Sequence, residues 1–423
     1  MAGTRWAQPK SPPTRPGRGG RTRQRSSSRW RVASGGNRKA MSTAHAHRID
    51  VRAGAEREVT VDQIVGEMSR LWGDISAEVE QETGQIPLRT SILTLIIIAS
   101  GESEIRMAHE TLHELIEQLP SRVIVVEIHP AGSPFDASVS GHCRLHGTGR
   151  TACYEVIEIH TPPERLSAVP SMIAPLELYD VPSFMWWVGQ VDFSSPEFRR
   201  LTPVVDRVII DTARFDSARD AFSGFERFLY EGESGCTGTD LAWARVTRWR
   251  EAIAQAFDHP ETIGLLHAIE SVDLSYDPSA EAQALLILGW LASRLGWNLA
   301  SADADGTSLT FQAQSAAGGD IDIRLHRQAS TGVGVRSVRI LARQGEHNAR
   351  ISIRGRAQNL VVTSVEWAGI PRQDRVDRLP RLHLSDLIGQ ELLVQSHDEH
   401  YHQALSTVVS AVSLLGSAHD QKS

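Results

Sequence analysis

Cysteine is scarce, three residues in 423, and no Cys-x-x-Cys occurs. That excludes a disulfide-stapled framework and fits a reducing, cytoplasmic setting. Long apolar runs are also missing. The most apolar segment, 92–99, falls far short of the roughly 18 consecutive apolar residues a membrane helix needs, and reads as a buried strand. Neither G-x-G-x-x-G nor G-x-x-x-x-G-K-[ST] is present. The glycines of Gly147-Thr148-Gly149 fall in an expected hairpin turn, not between a strand and a helix, so no nucleotide cofactor is expected. Residues 1–40 contain no Asp or Glu but eleven Lys or Arg.

What is present is an acidic body behind a basic extension. The whole chain carries −7; residues 41–423 hold 44 − 11 = 33 basic and 51 acidic residues, a net of −18. An acidic body argues against nucleic acid as the main partner. The extension is rich in Arg, Ser, Gly and Pro and too poor in aliphatic residues to bury a core. It has the composition of an organellar transit peptide, of a basic tail for nucleic acid or membrane, or of translation from upstream of a true start at Met41. At 41% hydrophobic content the remainder can build two or three domains.

Periodicity predicts an amphipathic helix over 60–80, with Ile64, Met68, Leu71, Ile75 and Val79 on one stripe and a Thr60/Gln63 capping box. A strand (91–99), a helix (102–119) and a second strand (122–128) make a βαβ unit with parallel strands. Segments 139–145 and 152–159 read as a hairpin, followed by strands at 184–188 and 207–211. Helical patterns dominate 217–231, 240–257 and 278–296, the last with Gly296 placed to cap it. Short alternating strands recur from 308 to 365, and helices return at 384–394 and 398–415. The expectation is α+β: a basic extension (1–40), an α/β domain with a mixed sheet (41–215), a helical segment (216–300), and an antiparallel β-rich domain with terminal helices (301–423).

Several segments occur in a recognisable order. They are Arg89-Thr90-Ser91, Pro120-Ser121-Arg122, His142-Cys143-Arg144, Val181-Pro182 before Phe184-Met185-Trp186-Trp187, and the run from Asp206 to Asp211. The run from Leu288 to Trp297 follows, then a looser match at 384–393 with Tyr401, Ala404 and Leu405. Over about 55–410 the chain resembles the OpcA family. That resemblance implies a non-catalytic bacterial protein that assembles and activates glucose-6-phosphate dehydrogenase, at the NADPH-producing entry of the oxidative pentose phosphate pathway. It implies that enzyme as partner; the acidic body and the lack of a long apolar run argue against nucleic acid and membrane. An enzyme acting on a sugar phosphate and a metabolite-binding scaffold are the alternatives.

Individual residues add narrower expectations. If the hairpin centres on Thr148, Cys143 and Cys153 stand directly opposite, about 4.5 Å apart at Cα, at the lower edge of disulfide range. They form a redox switch or two buried thiols acting as small hydrophobes. Cys236, in the Gly-rich stretch 232–238, is the expected exposed thiol. Trp186 and Trp187, adjacent on a strand, should face opposite sides, both in the core or one toward a partner. Arg294 sits between Trp290 and Trp297, paired with an internal carboxylate or reaching the dehydrogenase. His397, His400 and His402 lack the i, i+4 spacing of a helical metal pair and read as a solvated helix start, so no metal is expected. No ordered catalytic constellation is visible.

Overall fold

The structure, a computed structural model, describes residues 43–48, 60–84, 88–89, 91–116, 119–145, 151–231, 235–258, 260–328, 334–356, 359–379, 382–394 and 397–420. The chain divides into two units, 1–40 and 41–423, and every described residue lies in the second. The expected basic extension and the turn at 146–150 therefore lie outside the described residues.

In chain order the first half runs β1 (Thr43–Arg48), α1 (Val61–Thr83), β2 (Leu88–Arg89), β3 (Thr94–Ser100), α2 (Gly101–Ile116), β4 (Arg122–Ile128), β5 (Asp136–Leu145) and β6 (Thr151–Thr161). It continues with α3 (Val169–Ile173), β7 (Ser183–Val188), α4 (Pro196–Leu201), β8 (Arg207–Ile210), α5 (Ala218–Glu231) and β9 (Thr237–Asp240). The predicted capping box starts α1: the Thr60 amide donates to the Gln63 side chain at 2.9 Å, and Gln63 returns a bond to Thr60 Oγ1. The central strands read Thr-Leu-Ile-Ile-Ile-Ala and Arg-Val-Ile-Val-Val-Glu-Ile because both faces of the sheet are covered.

These strands order as β1-β5-β6-β4-β3-β7-β8-β9. From β6 to β9 all neighbours are parallel, while β1 and β5 extend the sheet antiparallel. Short β2 also pairs parallel with β6, off this path; numbered by sequence, the six strands from β6 to β9 lie 3-2-1-4-5-6, the doubly wound order with its switch point between β3 and β7. Alternation sends Ile96, Ile98, Met185 and Trp187 into one core and Leu95, Ile97, Phe184 and Trp186 into the other.

The second half comprises α6 (Leu241–Arg245), α7 (Thr247–Ala256), α8 (Pro260–Ile263), β10 (Ile269–Tyr276), α9 (Glu281–Leu295), β11 (Asn298–Ala304), β12 (Ser308–Gln314) and β13 (Asp320–Arg327). Then come β14 (Val335–Gln344), β15 (His347–Arg356), β16 (Leu360–Trp367), β17 (Ile370–Pro371), β18 (Arg375–Arg378), α10 (Leu384–Leu393) and α11 (Glu399–Asp420). The strands order as β11-β12-β13-β10-β14-β15-β16-β17, with β18 also on β16. One face packs on α9 and α7 through Val272, Phe311, Ile323 and Ile340; the other presents Asp322, Arg324, Arg339, Arg350 and Arg354. Gly296 caps α9 in the left-handed conformation, as its placement predicts.

Two readings need correction. Residues 216–300 are not purely helical: they hold β9, a four-residue strand too polar to signal itself, and β10. The second sheet is mixed, because β10 precedes α9 in the chain and lies parallel to β13. A helix between two neighbouring strands permits a parallel pairing that short hairpin turns do not.

Candidate functional site

The switch point between β3 and β7 is where a doubly wound sheet opens a crevice at the carboxyl ends of its strands. Here β3 passes directly into α2 through Gly101, whose φ of +75° only glycine adopts easily. In dinucleotide-binding sheets that turn and the helix N-terminus hold a pyrophosphate. This chain supplies its own anion instead. The backbone N–H of Ser100 donates to Glu104 Oε2 at 3.0 Å. The same carboxylate lies over buried Gly189, just after β7, so closely that a Cβ there would run into it. Burial holds the Glu104 carboxyl above its ordinary range, opposed by the Ser100 N–H and by Arg214. Glu102 adds a further carboxylate, this one exposed, to the first turn of α2. Glu104 and Glu102 thus place negative charge at the turn where a dinucleotide-binding sheet holds its pyrophosphate.

Beside the crevice, between the loop after β7 and α5, opens a cavity of about 350 Å³ lined by Asp192, Phe193, Arg199, Phe215, Asp220 and Arg227 among others. Its Asp192 is held below the ordinary carboxyl range by the Ser194 hydroxyl and N–H, which it accepts at 2.6 and 2.9 Å. A carboxylate stabilised in its ionised form is the opposite of a poised general acid.

A knot of polar groups joins the first sheet to the C-terminal helices. Arg245 grips Asp211 with two bonds of 2.6 and 2.7 Å. Arg207 donates to the carbonyl of Val394, Thr239 Oγ1 to Glu391 at 2.7 Å, and Trp243 Nε1 to Asp398 at 2.8 Å. Arg250 stacks 3.5 Å from the Trp243 ring centroid. Asp206, Arg207 and Asp211 all belong to one of the ordered segments noted in the sequence, so that segment carries structural anchors.

Asp240 lies at the centre of this knot, wholly buried. Its Oδ1 accepts from the N–H of Thr212 and of Ala242, and its Oδ2 from Thr212 Oγ1. Burial, with a smaller push from Asp211, moves its carboxyl up to about 7. Glu177 is also pushed up to about 7, by burial and then by Asp206. A carboxyl raised on folding contributes stability that is complete below its unfolded value near 4 and lost as pH climbs to 7. Asp240→Asn keeps both N–H bonds, with Thr212 Oγ1 turned to accept. It should lessen the loss of stability between pH 4 and 7 by on the order of 2 kcal/mol. Urea unfolding at several pH values measures it; parallel curves for the two proteins would refute it.

The residues singled out in the sequence meet different fates. Cys143 and Cys153 are opposed in register as the hairpin arithmetic requires, and they are joined by a disulfide with Cα atoms 4.1 Å apart. Cys236 is not exposed. It is buried at the start of β9, where its thiol donates to the Thr237 carbonyl, and burial pushes it up to about 12, leaving it protonated and inert. Trp186 and Trp187 are both buried on opposite faces, Trp187 donating to the Gln190 carbonyl, so neither offers a ring at the surface. Arg294 is exposed and donates to His400 Nδ1 at 3.4 Å; among the described residues it has no internal carboxylate. The start of α11 is not wholly solvated either. His402 is buried and pushed down to about 4 by burial and by His397, whose ring lies 3.9 Å away.

One cluster the sequence reading missed lies at the carboxyl ends of β4 and β6. Glu-Ile-His occurs twice, at 127–129 and 158–160, and the parallel register sets Glu127 beside His160. That repeat at two strand ends was the available signal.

Two family models match the chain in succession. The first, described as the OpcA glucose-6-phosphate dehydrogenase subunit N-terminal domain, covers 112–227; the second, the corresponding C-terminal domain, covers 236–405. A Nostoc punctiforme protein provisionally named OxPP cycle protein OpcA is 31% identical over 217 residues, 50% of this chain and 43% of that one. A Synechococcus elongatus protein of the same name is 26% identical over 267 residues, 63% of this chain and 49% of its own. The matched stretch spans less than half the length of either relative. The structure of a Sinorhizobium meliloti oxidoreductase superposes with a TM-score of 0.47 at 10% identity, covering 78% of this chain and 98% of that one. At that distance the likeness says nothing of activity. Among the described residues no helix is long and apolar enough to cross a membrane.

Proposed function

The chain belongs to the OpcA family, and from that premise we propose that it binds glucose-6-phosphate dehydrogenase in the cytoplasm and favours the enzyme's active oligomer, without chemistry of its own. The observation that carries this reading is the succession of two dehydrogenase-subunit domains over 112–405. The carboxylates of Glu102 and Glu104 at the crevice support the non-catalytic part, because doubly wound sheets that bind a dinucleotide seat its pyrophosphate at this turn. Exposed Arg294 and the uncovered face of the second sheet, with Arg324, Arg339, Arg350 and Arg354, are the surfaces to test for contact. Trp186 and Trp187 are not.

A partner that shifts an equilibrium must prefer one state; equal affinity for both changes nothing. Coupling of about 1–3 kcal/mol changes substrate affinity roughly 5- to 150-fold. The expected result is a lower apparent KM, or a more stable tetramer, when this protein is added to the cognate dehydrogenase, read by steady-state kinetics and sedimentation. Repeating the assay with a thiol reductant tests whether the Cys143–Cys153 bridge regulates the effect. Identical kinetics and sedimentation with and without the protein would end the proposal. A second reading, a scaffold sensing a phosphorylated metabolite, draws on Arg199 and Arg227 in the 350 Å³ cavity. Thermal shifts with glucose 6-phosphate and with NADP distinguish it.

A further inference from the structure

Three histidines (His109, His129, His160) and three carboxylates (Glu127, Asp136, Glu158) converge at the carboxyl ends of β4 and β6. Glu127, the penultimate residue of β4, is buried; His129 lies just past the strand; His160 lies near the end of β6, and His109 reaches in from α2. His129 Nε2 is 3.0 Å and His160 Nε2 is 3.7 Å from the same oxygen, Glu127 Oε2. The two imidazoles meet edge to face at 5.5 Å between centroids. Oxygen Oε1 of the same carboxylate is held by His109 Nε2 at 2.6 Å. Behind the cluster, His160 Nδ1 bonds Asp136 Oδ1 at 2.5 Å, and Ser138 Oγ donates to Glu158 Oε2 at 2.8 Å.

We propose that Glu127, His129 and His160 form a binding site for a divalent transition-metal ion of the zinc class. Ligands about 2.0–2.1 Å from a tetrahedral ion stand roughly 3.3–3.5 Å from one another. The pairs here, at 3.0 and 3.7 Å, bracket that spacing, and all three ligand atoms lie within 4.8 Å of one another. Two imidazoles and one carboxylate suit zinc better than magnesium or calcium, which prefer all-oxygen sets. The Asp136 bond places the His160 proton on Nδ1 and turns the Nε2 lone pair toward Glu127, the carboxylate–histidine arrangement that orients metal ligands. Three protein ligands leave a fourth position for water or an incoming group. A second triad, His109, Glu127 and Glu158, shares the central carboxylate but has only one imidazole. The first is therefore the site.

The test uses the full chain, stripped with a chelator and titrated with Co²⁺ and then Zn²⁺. The expected result is one equivalent of Co²⁺ giving visible d–d bands of low coordination number, bleached by Zn²⁺. The double variant His129→Ala/His160→Ala should lose the bands, while His397→Ala/His400→Ala keeps them and controls for other histidines. Asp136→Asn should weaken Zn²⁺ binding about 10- to 100-fold by calorimetry without removing a ligand. Unfolding midpoints of the stripped variants confirm folding, and His129→Gln serves if the alanine variant does not fold. The absence of stoichiometric Co²⁺ binding, or its persistence in a folded variant lacking both His129 and His160, would overturn the assignment and leave a purely ionic cluster.

Discussion

Replacing Arg122 with alanine should cost about 3–5 kcal/mol of folding stability, the largest effect expected of any single change considered for this chain. Arg122 and Glu155 face each other at the start of β4 and in the middle of β6, both buried. The guanidinium Nε donates to Glu155 Oε1 at 2.5 Å, and Nη1 donates to the carbonyl of Leu176. The indole Nε1 of Trp72 donates to the other carboxylate oxygen at 2.6 Å. Alanine would strand the carboxylate in a region with almost no water and orphan the Leu176 carbonyl. The midpoint of urea unfolding should fall accordingly. An Arg122→Met/Glu155→Leu double variant should recover much of the loss, since the cost lies in one uncompensated charge. A single variant within about 0.5 kcal/mol of the parent would show that solvent reaches the pair.

Gly289→Val should cost about 3 kcal/mol, by forcing apart two helices that touch through backbone. Gly289 lies within α9, and a Cβ there would meet the Ala404 carbonyl of α11 and Val408 Cγ2. A side chain can rotate away, but a helix backbone cannot, so the relief must come from moving α11. The matched control is Gly66→Ala in α1, where nothing lies within 4 Å. There alanine should raise stability by about 0.4–1 kcal/mol, through the lower entropy of the unfolded chain. Equal and small effects at the two positions in thermal unfolding would mean that α9 and α11 are not held as closely as the structure has them.

Much of the scaffold was legible because it is written locally. The Thr60/Gln63 box, the left-handed Gly296 cap and the Cys143–Cys153 register depend on residues within about ten positions of one another. The βαβ unit was legible because 94–128 switches cleanly from one period to the other. What sequence did not disclose is set by pairings over long separations. The parallel β10–β13 pair spans the intervening α9, β11 and β12, and its polar, half-buried strand 269–276 carries only weak alternation. The carboxylate at the crevice depends on Glu104 reaching Gly189, 85 positions away in the chain. The imidazole cluster gathers residues from 109 to 160 through sheet topology, and only the repeated Glu-Ile-His hinted at it. Burial of Cys236 and His402 likewise came from packing that composition could not reveal.

The position of α11 has a consequence for how the protein is made. Every strand of both sheets is synthesised before residue 399, yet α9, almost wholly apolar around its circumference, packs along α11 through Gly289 and its neighbours. Until those 22 residues leave the ribosome, a broad greasy stripe on α9 stays open to water and to neighbouring nascent chains. Production should therefore depend on the cell's capacity to shield that stripe during the last seconds of translation, and a stop codon before 399 should yield inclusion bodies rather than a shorter soluble protein.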